Sequence, residues 1–245
     1  MVFESLFYMA FRSPYTTVYA FICTVVLCFL FHVLFFRKIA KKHNVSLPIF
    51  HYVGVGVFLI YLLIVYRMTG MGTIWDIGRY EAIVRWHQIH YIPFHNQPYD
   101  LPFTLLNIVM TIPLGFLLPT LWPEFRKLSK VAFTGFCLSM AIELSQLLNH
   151  RGTSAEDLMM NTLGAIIGYF LFVFFYKLLH PLTPLELKYK SSSVIITNEG
   201  VFYMIFSFLG MFLFFNPQDV SGLFHTVFGI SFSEAIRAFL NRVRF

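Results

Sequence analysis

Six apolar segments, each close to the length of a membrane-spanning helix, alternate with polar connections along this chain of 245 residues. An α-helix crosses the hydrocarbon core of a bilayer with about 17–25 residues. The segments, of which the second and sixth are the shortest, are 16–36, 50–66, 103–122, 131–148, 158–179 and 200–215. The pattern predicts an all-α fold, a multipass transmembrane helical bundle of about six spans.

Both ends of the chain fall outside these segments. Residues 2–11 have the character of a segment that lies along the interface, and residues 220–245 alternate apolar positions with Arg237, Arg242 and Arg244, as an amphipathic surface helix does. The chain starts without a basic region, and its first apolar run is too long for the core of a cleaved signal peptide. We therefore expect a single membrane domain with interfacial segments at its termini.

Composition supports a membrane protein and excludes other classes. Hydrophobic residues make up 58% of the chain and charged residues 12%, whereas soluble domains carry about 25% charged residues. The formal net charge of +6 suits contact with anionic lipid, and no aromatic RNA-binding motif or zinc-finger spacing predicts a nucleic-acid partner. Cys23, Cys28 and Cys137 lie in apolar runs, so we expect packing residues rather than disulfides.

Basic residues in the connections predict the orientation of the bundle. With the N-terminus outside, ten Lys and Arg fall on the inner side and eight on the outer side. The dense, short loops after the first and third spans weigh more in this rule than scattered charges do. We therefore expect residues 37–49 and 123–130 on the cytoplasmic side, and 67–102 and 149–156 on the outer side.

Polar side chains at helical spacing interrupt the fourth span. Ser139, Glu143 and Gln146 are separated by four and three residues, so they share one face of a helix. A carboxylate at the centre of a spanning helix costs about 2.5–3.5 kcal/mol on insertion scales, which makes Glu143 a candidate for recognition or chemistry. Its structural alternative is an intramembrane ion pair with Arg151.

The fifth span carries a second stripe, made of Asp157, Asn161, Gly164 and Gly168. The short connection 149–156 predicts an antiparallel hairpin of the two spans, and a rise of ~1.5 Å per residue brings the stripes to the same depth. The spacing therefore predicts a polar layer between spans 4 and 5. Its members are Glu143, Gln146, Arg151, Asp157 and Asn161.

Several positions also have structural interpretations. Ser154 and Asp157 have the spacing of a capping box, so Asp157 is either a helix cap or a functional carboxylate. Asn161 is either an interhelical hydrogen-bond partner or a ligand contact. Gly164 and Gly168 form a small-xxx-small surface, through which we expect the fourth and fifth spans to pack.

The third span contains a proline in its interior. Pro113 removes one backbone donor and leaves the carbonyl of Val109 without its usual partner, which predicts a break in the helix. Broken spanning helices are tolerated where they line a cavity or where neighbours satisfy the freed groups.

The order of polar and small residues over about 90–175 resembles the VanZ-like family, which takes its name from a teicoplanin-resistance protein of Gram-positive bacteria. The residues that carry the resemblance are Pro93, Phe94, Asn107, Pro113, Gly115, Ser139, Glu143, Gln146, Arg151, Asp157, Asn161, Gly164 and Gly168. The family usually has three acidic residues in the turn after the Arg, where this chain has Ser154, Glu156 and Asp157. We expect a structural role for seven residues outside the polar layer: Asn107, Pro113, Gly115, Ser139, Ser154, Gly164 and Gly168.

The resemblance implies a protein of the bacterial cytoplasmic membrane that contributes to resistance against lipoglycopeptides such as teicoplanin, or to the handling of amphiphiles at the envelope. Our first hypothesis is that the polar layer binds or excludes the head group of a membrane lipid, an amphiphilic glycopeptide or a lipid-linked ligand, without a cofactor. The enzymatic alternative uses Glu143 or Asp157 as general base and Arg151 as a clamp for phosphate or carboxylate. A transporter is the third alternative, which the lack of a visible repeat disfavours.

Three histidines lie in one predicted outer loop. His87, His90 and His95 share an outer loop with Asp100 and could ligate a metal, but their spacing fits no zinc signature. The loop is also rich in aromatic residues, so an interfacial aromatic belt is favoured and no metal is expected. His32, inside the first span, is expected to be neutral and hydrogen-bonded.

Overall fold

The fold is given by a computed structural model that describes residues 14–45, 47–79, 89–90, 92–93, 101–149, 151–179 and 193–216. The predicted interfacial segments 2–11 and 220–245 lie outside these residues, as do His87, His95 and Asp100.

Helices account for most of the described chain. They are α1 (Pro14–Phe31), which continues through a π-helical turn (His32–Phe36) into α2 (Arg37–Lys42), then α3 (Ile49–Thr69), α4 (Leu101–Leu121), α5 (Leu128–Gln146), α6 (Ala155–Leu179), α7 (Val194–Thr197) and α8 (Glu199–Phe214). Five of the helical segments, α1–α2 and α3 to α6, are long and apolar enough to cross a membrane. The predicted all-α, multipass bundle is confirmed, and the sixth apolar helix, α8, is shorter than the other five, at 16 residues.

Short elements close the connections at the two ends of the bundle. The helix α3 ends at Gly70, whose φ of 62° is the left-handed conformation that glycine adopts readily. A 3₁₀ turn, Ile74–Asp76, follows, and another, Pro123–Phe125, joins α4 to α5. Two short parallel strands, β1 (Ile89–His90) and β2 (Thr153–Ser154), tie the long connection after α3 to the start of α6.

The tightest helix packing joins α4 to α6, the third and fifth spans. A Cβ at Gly164 would overlap the carbonyl of Ile108, and a Cβ at Gly168 would overlap that of Ile112. The prediction that Gly164 and Gly168 pack against the fourth span is therefore wrong: their partner is the third span. Helical spacing shows that small residues share a face, but it does not say which neighbour meets that face.

The same interface includes Gly115 of α4, where a Cβ would overlap the carbonyl of Ala165. The helix α4 is continuous through Pro113, so the predicted break is wrong. Proline removes one donor, and the remaining hydrogen bonds and the close packing on α6 maintain the helix on both sides of it.

A buried polar cluster joins the start of α8 to the start of α3 and to the residue that follows α4. Glu199 Oε2 accepts a hydrogen bond from Trp122 Nε1 at 2.8 Å and lies 2.9 Å from His51 Nε2, and all three side chains are buried. We term these three residues the Glu199 cluster. Near it, His32 Nδ1 lies 2.8 Å from the hydroxyl of Tyr203, which confirms the predicted hydrogen bond of His32.

Candidate functional site

A cavity of about 300 Å³ lies where the end of α3 meets the starts of α4 and α6 and the end of α5. We term it the polar cavity. All five members of the predicted polar layer line it, and so do three further polar or small residues and four apolar ones. The full lining is Met68, Thr69, Phe103, Leu106, Asn107, Met110, Glu143, Gln146, Arg151, Gly152, Asp157 and Asn161.

The C-terminal end of α3 positions two of these side chains. The carbonyl of Thr69 accepts hydrogen bonds from Gln146 Nε2, at 2.8 Å, and from the guanidinium of Arg151, while Asn149 Nδ2 donates to the carbonyl of Gly70 at 2.8 Å. The last carbonyls of a helix have no partner within the helix, and they carry its partial negative charge. The end of α3 therefore holds Arg151 and Gln146 in the lining of the cavity.

Glu143, on α5, accepts a backbone hydrogen bond at the start of α6 that a residue of α6 itself was predicted to accept. Its Oε2 accepts the backbone N–H of Ser154 at 3.0 Å, and the side chain is 5% exposed. In a capping box this N–H would bond to Asp157, the third residue of α6. No ion pair within 4 Å joins Glu143 to Arg151 among the residues that the structure describes, so the ion-pair alternative is wrong.

Asp157 bonds to the third span instead of capping its own helix. Asn107 Nδ2 donates to Asp157 Oδ1, and the hydroxyl of Ser154 accepts the N–H of Glu156 at 3.1 Å rather than that of Asp157. Ser154 therefore caps α6, but neither hydrogen bond of the predicted capping box with Asp157 is formed. Asn107 lies on α4, the third span, so the polar layer that was predicted between the fourth and fifth spans also includes the third span.

Two buried amide oxygens of the cavity lining are left without a donor. Asn161 Nδ2 donates to Ser139 Oγ at 2.9 Å, but Asn161 Oδ1 and Gln146 Oε1 find no hydrogen-bond partner among the described residues. The orientation of the Gln146 amide is fixed, because its NH₂ faces the carbonyl oxygen of Thr69. An unpaired buried polar atom costs about 1–3 kcal/mol, so donors from outside the described chain would stabilise this arrangement.

The lining combines an acidic balance with an apolar wall. Its charged members among the described residues are Glu143, Asp157 and Arg151, two carboxylates against one guanidinium. The apolar wall consists of Met68, Phe103, Leu106 and Met110. The arrangement can accept hydrogen bonds from a polar group while an attached apolar chain contacts the wall.

Sequence reasoning missed the contribution of the third span to this layer. Asn107 was expected to be structural, although it also lines the cavity, and Thr69 was not singled out. The signal for Thr69 is the glycine after it, because Gly70 marks a helix end whose carbonyls need outside donors. Within the described chain, no group of three or more His, Cys, Asp or Glu is placed to hold a metal ion.

Comparisons with known proteins identify the region that contains this site. No curated protein and no solved structure gives a match. The family model VanZ/LLP1 matches residues 58–176, which include the whole lining of the polar cavity. The resemblance noted over residues 90–175 is thereby confirmed and extended toward the N-terminus. Over residues 58–176, just under half of its length, this chain is similar to the VanZ/LLP1 family.

Proposed function

We propose that the polar cavity binds the head group of an amphiphile of the bacterial envelope. Through this binding, the protein contributes, from the bacterial cytoplasmic membrane, to resistance against lipoglycopeptides such as teicoplanin or to the handling of related amphiphiles. The observation that carries the proposal is the pair of buried, unpaired amide oxygens of Gln146 and Asn161 in a cavity with an apolar wall.

The chemistry of the lining defines the head group. Unpaired carbonyl oxygens, together with Glu143 and Asp157, favour hydroxyl, amide or ammonium donors. The cavity lies where the ends of four helices meet, and we expect the ends of spanning helices to lie at the depth where head groups meet hydrocarbon. An amphiphile in this position would keep its polar part in the cavity and its chain along the α4 side, where Phe103 and Leu106 lie.

The direct test measures binding of a neutral sugar lipid, diglucosyl diacylglycerol, against diacylglycerol without the sugar, by native mass spectrometry of the detergent-solubilised protein. The wild type should retain the sugar lipid preferentially. Glu143→Gln removes the charge but keeps an acceptor for the N–H of Ser154, and Gln146→Met removes the unpaired oxygen at similar length. Each variant should bind the sugar lipid about tenfold more weakly, the loss of one hydrogen bond to a charged or buried group.

The matched control is Glu156→Gln, the same chemical change at a carboxylate that does not line the cavity and accepts a hydrogen bond from Thr104 at 2.7 Å. It should bind like the wild type. Unchanged binding by Glu143→Gln, or an equal loss in the control, would refute the proposal. Teicoplanin susceptibility per folded molecule should follow the same order.

The enzymatic alternative is supported by the two carboxylates in one cavity, Glu143 and Asp157. The same mass spectra separate it from binding alone. Recovery of the added lipid unchanged after prolonged incubation supports binding, whereas a Glu143-dependent product would establish catalysis.

A further inference from the structure

A second cavity, of about 360 Å³, lies beside the polar cavity at the same end of the bundle. Among the described residues, its charged lining consists of Arg67, Arg79 and Arg151 with a single carboxylate, Asp76. We term it the arginine cavity. Arg151 lines both cavities, so the two spaces meet at this side chain.

Each guanidinium of the arginine cavity is held by a different contact. Arg79 pairs with Asp76 at 2.7 Å, and Asp76 is fixed because its Oδ2 accepts the N–H of Thr73 at 2.8 Å. Arg67 lies over the ring of Phe215 at 5.3 Å, a cation–π contact. With Arg151 bound to the end of α3, three cations are oriented in advance around one space.

The balance of charge in this space is positive among the described lining residues, with three guanidinium groups and one carboxylate. On the orientation predicted from the basic loops, this end faces outward, where arginines are less frequent than on the cytoplasmic side. Planar guanidinium groups bind phosphate with paired hydrogen bonds, and several of them together favour it over uncharged groups.

We infer that the arginine cavity binds a phosphate ester of the same amphiphile whose donor-bearing head group occupies the polar cavity, with Arg151 at the junction. The inference rests on the proposed function and sharpens it. The ligand class becomes an amphiphile that carries both hydrogen-bond donors, such as polyol hydroxyls, and a phosphate ester.

The experiment compares two lipids of equal chain length by native mass spectrometry. Phosphatidylglycerol has hydroxyls and a phosphate, and diglucosyl diacylglycerol has hydroxyls alone. The wild type should bind phosphatidylglycerol more tightly. Arg67→Gln should weaken phosphatidylglycerol about tenfold, the size expected for one charge-assisted contact, and leave the neutral sugar lipid unchanged. Arg67→Lys, which keeps the charge, should restore a large part of the loss.

The controls separate this inference from the proposed function. Arg37→Gln makes the same change at an exposed arginine of α2 and should have no effect. Glu143→Gln should weaken both lipids, because it alters the polar cavity. If Arg67→Gln leaves the preference for phosphatidylglycerol intact while Glu143→Gln still weakens the sugar lipid, the inference is wrong and the proposed function stands.

A last arm tests the source of the phosphate. Inorganic phosphate is added to the lipid-free protein and binding is followed by calorimetry. Binding that is weak relative to phosphatidylglycerol supports a lipid phosphate. Inorganic phosphate bound as tightly as the lipid, and lost in Arg67→Gln, would overturn the assignment to an amphiphile.

Discussion

Two buried glutamates, at opposite ends of the bundle, use their carboxylates in different ways. Glu199 receives a hydrogen bond from the indole of Trp122 and faces the imidazole of His51, so side chains from α8, from α3 and from the connection after α4 meet on one oxygen. Glu143 receives the backbone N–H of Ser154 and lines a cavity of about 300 Å³. The two carboxylates have similar burial, at 1% and 5% exposure, so burial alone does not distinguish them.

The difference lies in what surrounds each group. Aromatic rings pack against the Glu199 cluster: the ring centroid of Phe58 lies 5.2 Å from that of Trp122, and the ring centroid of Tyr52 lies 6.0 Å from that of His51. Around Glu143 the neighbours are amides, a carboxylate and a guanidinium that face a space. Unpaired buried atoms occur in both regions, since Glu199 Oε1 and His51 Nδ1 also find no hydrogen-bond partner among the described residues. The cavity beside Glu143 is therefore what makes that carboxylate available to a ligand, whereas the side-chain donors and ring contacts around Glu199 hold helices together. This is the contrast that the following substitutions test.

The largest effect is expected from Glu199→Leu. The variant leaves the indole N–H of Trp122 and the imidazole of His51 buried without their shared acceptor, and breaking a buried polar pair in this way costs about 3–5 kcal/mol. Glu143→Leu deprives only the N–H of Ser154 of a partner and should cost about 1–3 kcal/mol. Thermal unfolding of both variants in detergent measures the difference. A larger loss in Glu143→Leu than in Glu199→Leu would reverse the assignment of roles.

A smaller but clear effect is expected at the interface of α4 and α6. In Gly168→Ala the new Cβ meets the carbonyl of Ile112, and overpacking of this kind costs about 1–3 kcal/mol. Gly56→Ala, in α3, is the matched control, because a Cβ there meets nothing within 4 Å. The control should be neutral or slightly stabilising, since alanine favours a helix. Equal unfolding temperatures for both variants would show that α6 does not approach α4 as closely as described.

The polar cavity and the Glu199 cluster also differ in how much of each could be predicted from the sequence. Spacing of three and four residues placed Glu143 and Gln146 on one helical face, and Asp157 and Asn161 on another, and all four line one cavity. Periodicity fixes a face but not its partner. The contacts of α4 with Asp157 and Gly168 were therefore not foreseeable.

The Glu199 cluster depends on a different kind of information. His51 and Glu199 are 148 residues apart, and no local pattern links them. Glu199 lies one residue before the predicted sixth segment and was not among the predicted site residues. An acidic residue at the border of an apolar helix is a signal that could have identified it.

The smallest effect is expected from Glu124→Gln, in the 3₁₀ turn next to the Glu199 cluster. Burial raises the pKa of the Glu124 carboxyl, and the nearby Lys130 and Arg126 offset this only in part. Because the folded state binds the proton more tightly than the unfolded chain does, the contribution of Glu124 to stability is present below the unfolded pKa and is lost as the pH rises through the folded pKa. The glutamine variant lacks this loss, so it should be more stable than the wild type at neutral pH, by less than about 1 kcal/mol since the carboxyl is partly exposed. The unfolding temperatures of the wild type and of Glu124→Gln should be similar at low pH and should differ increasingly as the pH rises. A constant difference in unfolding temperature across the pH series would show that the pKa of Glu124 does not change on folding.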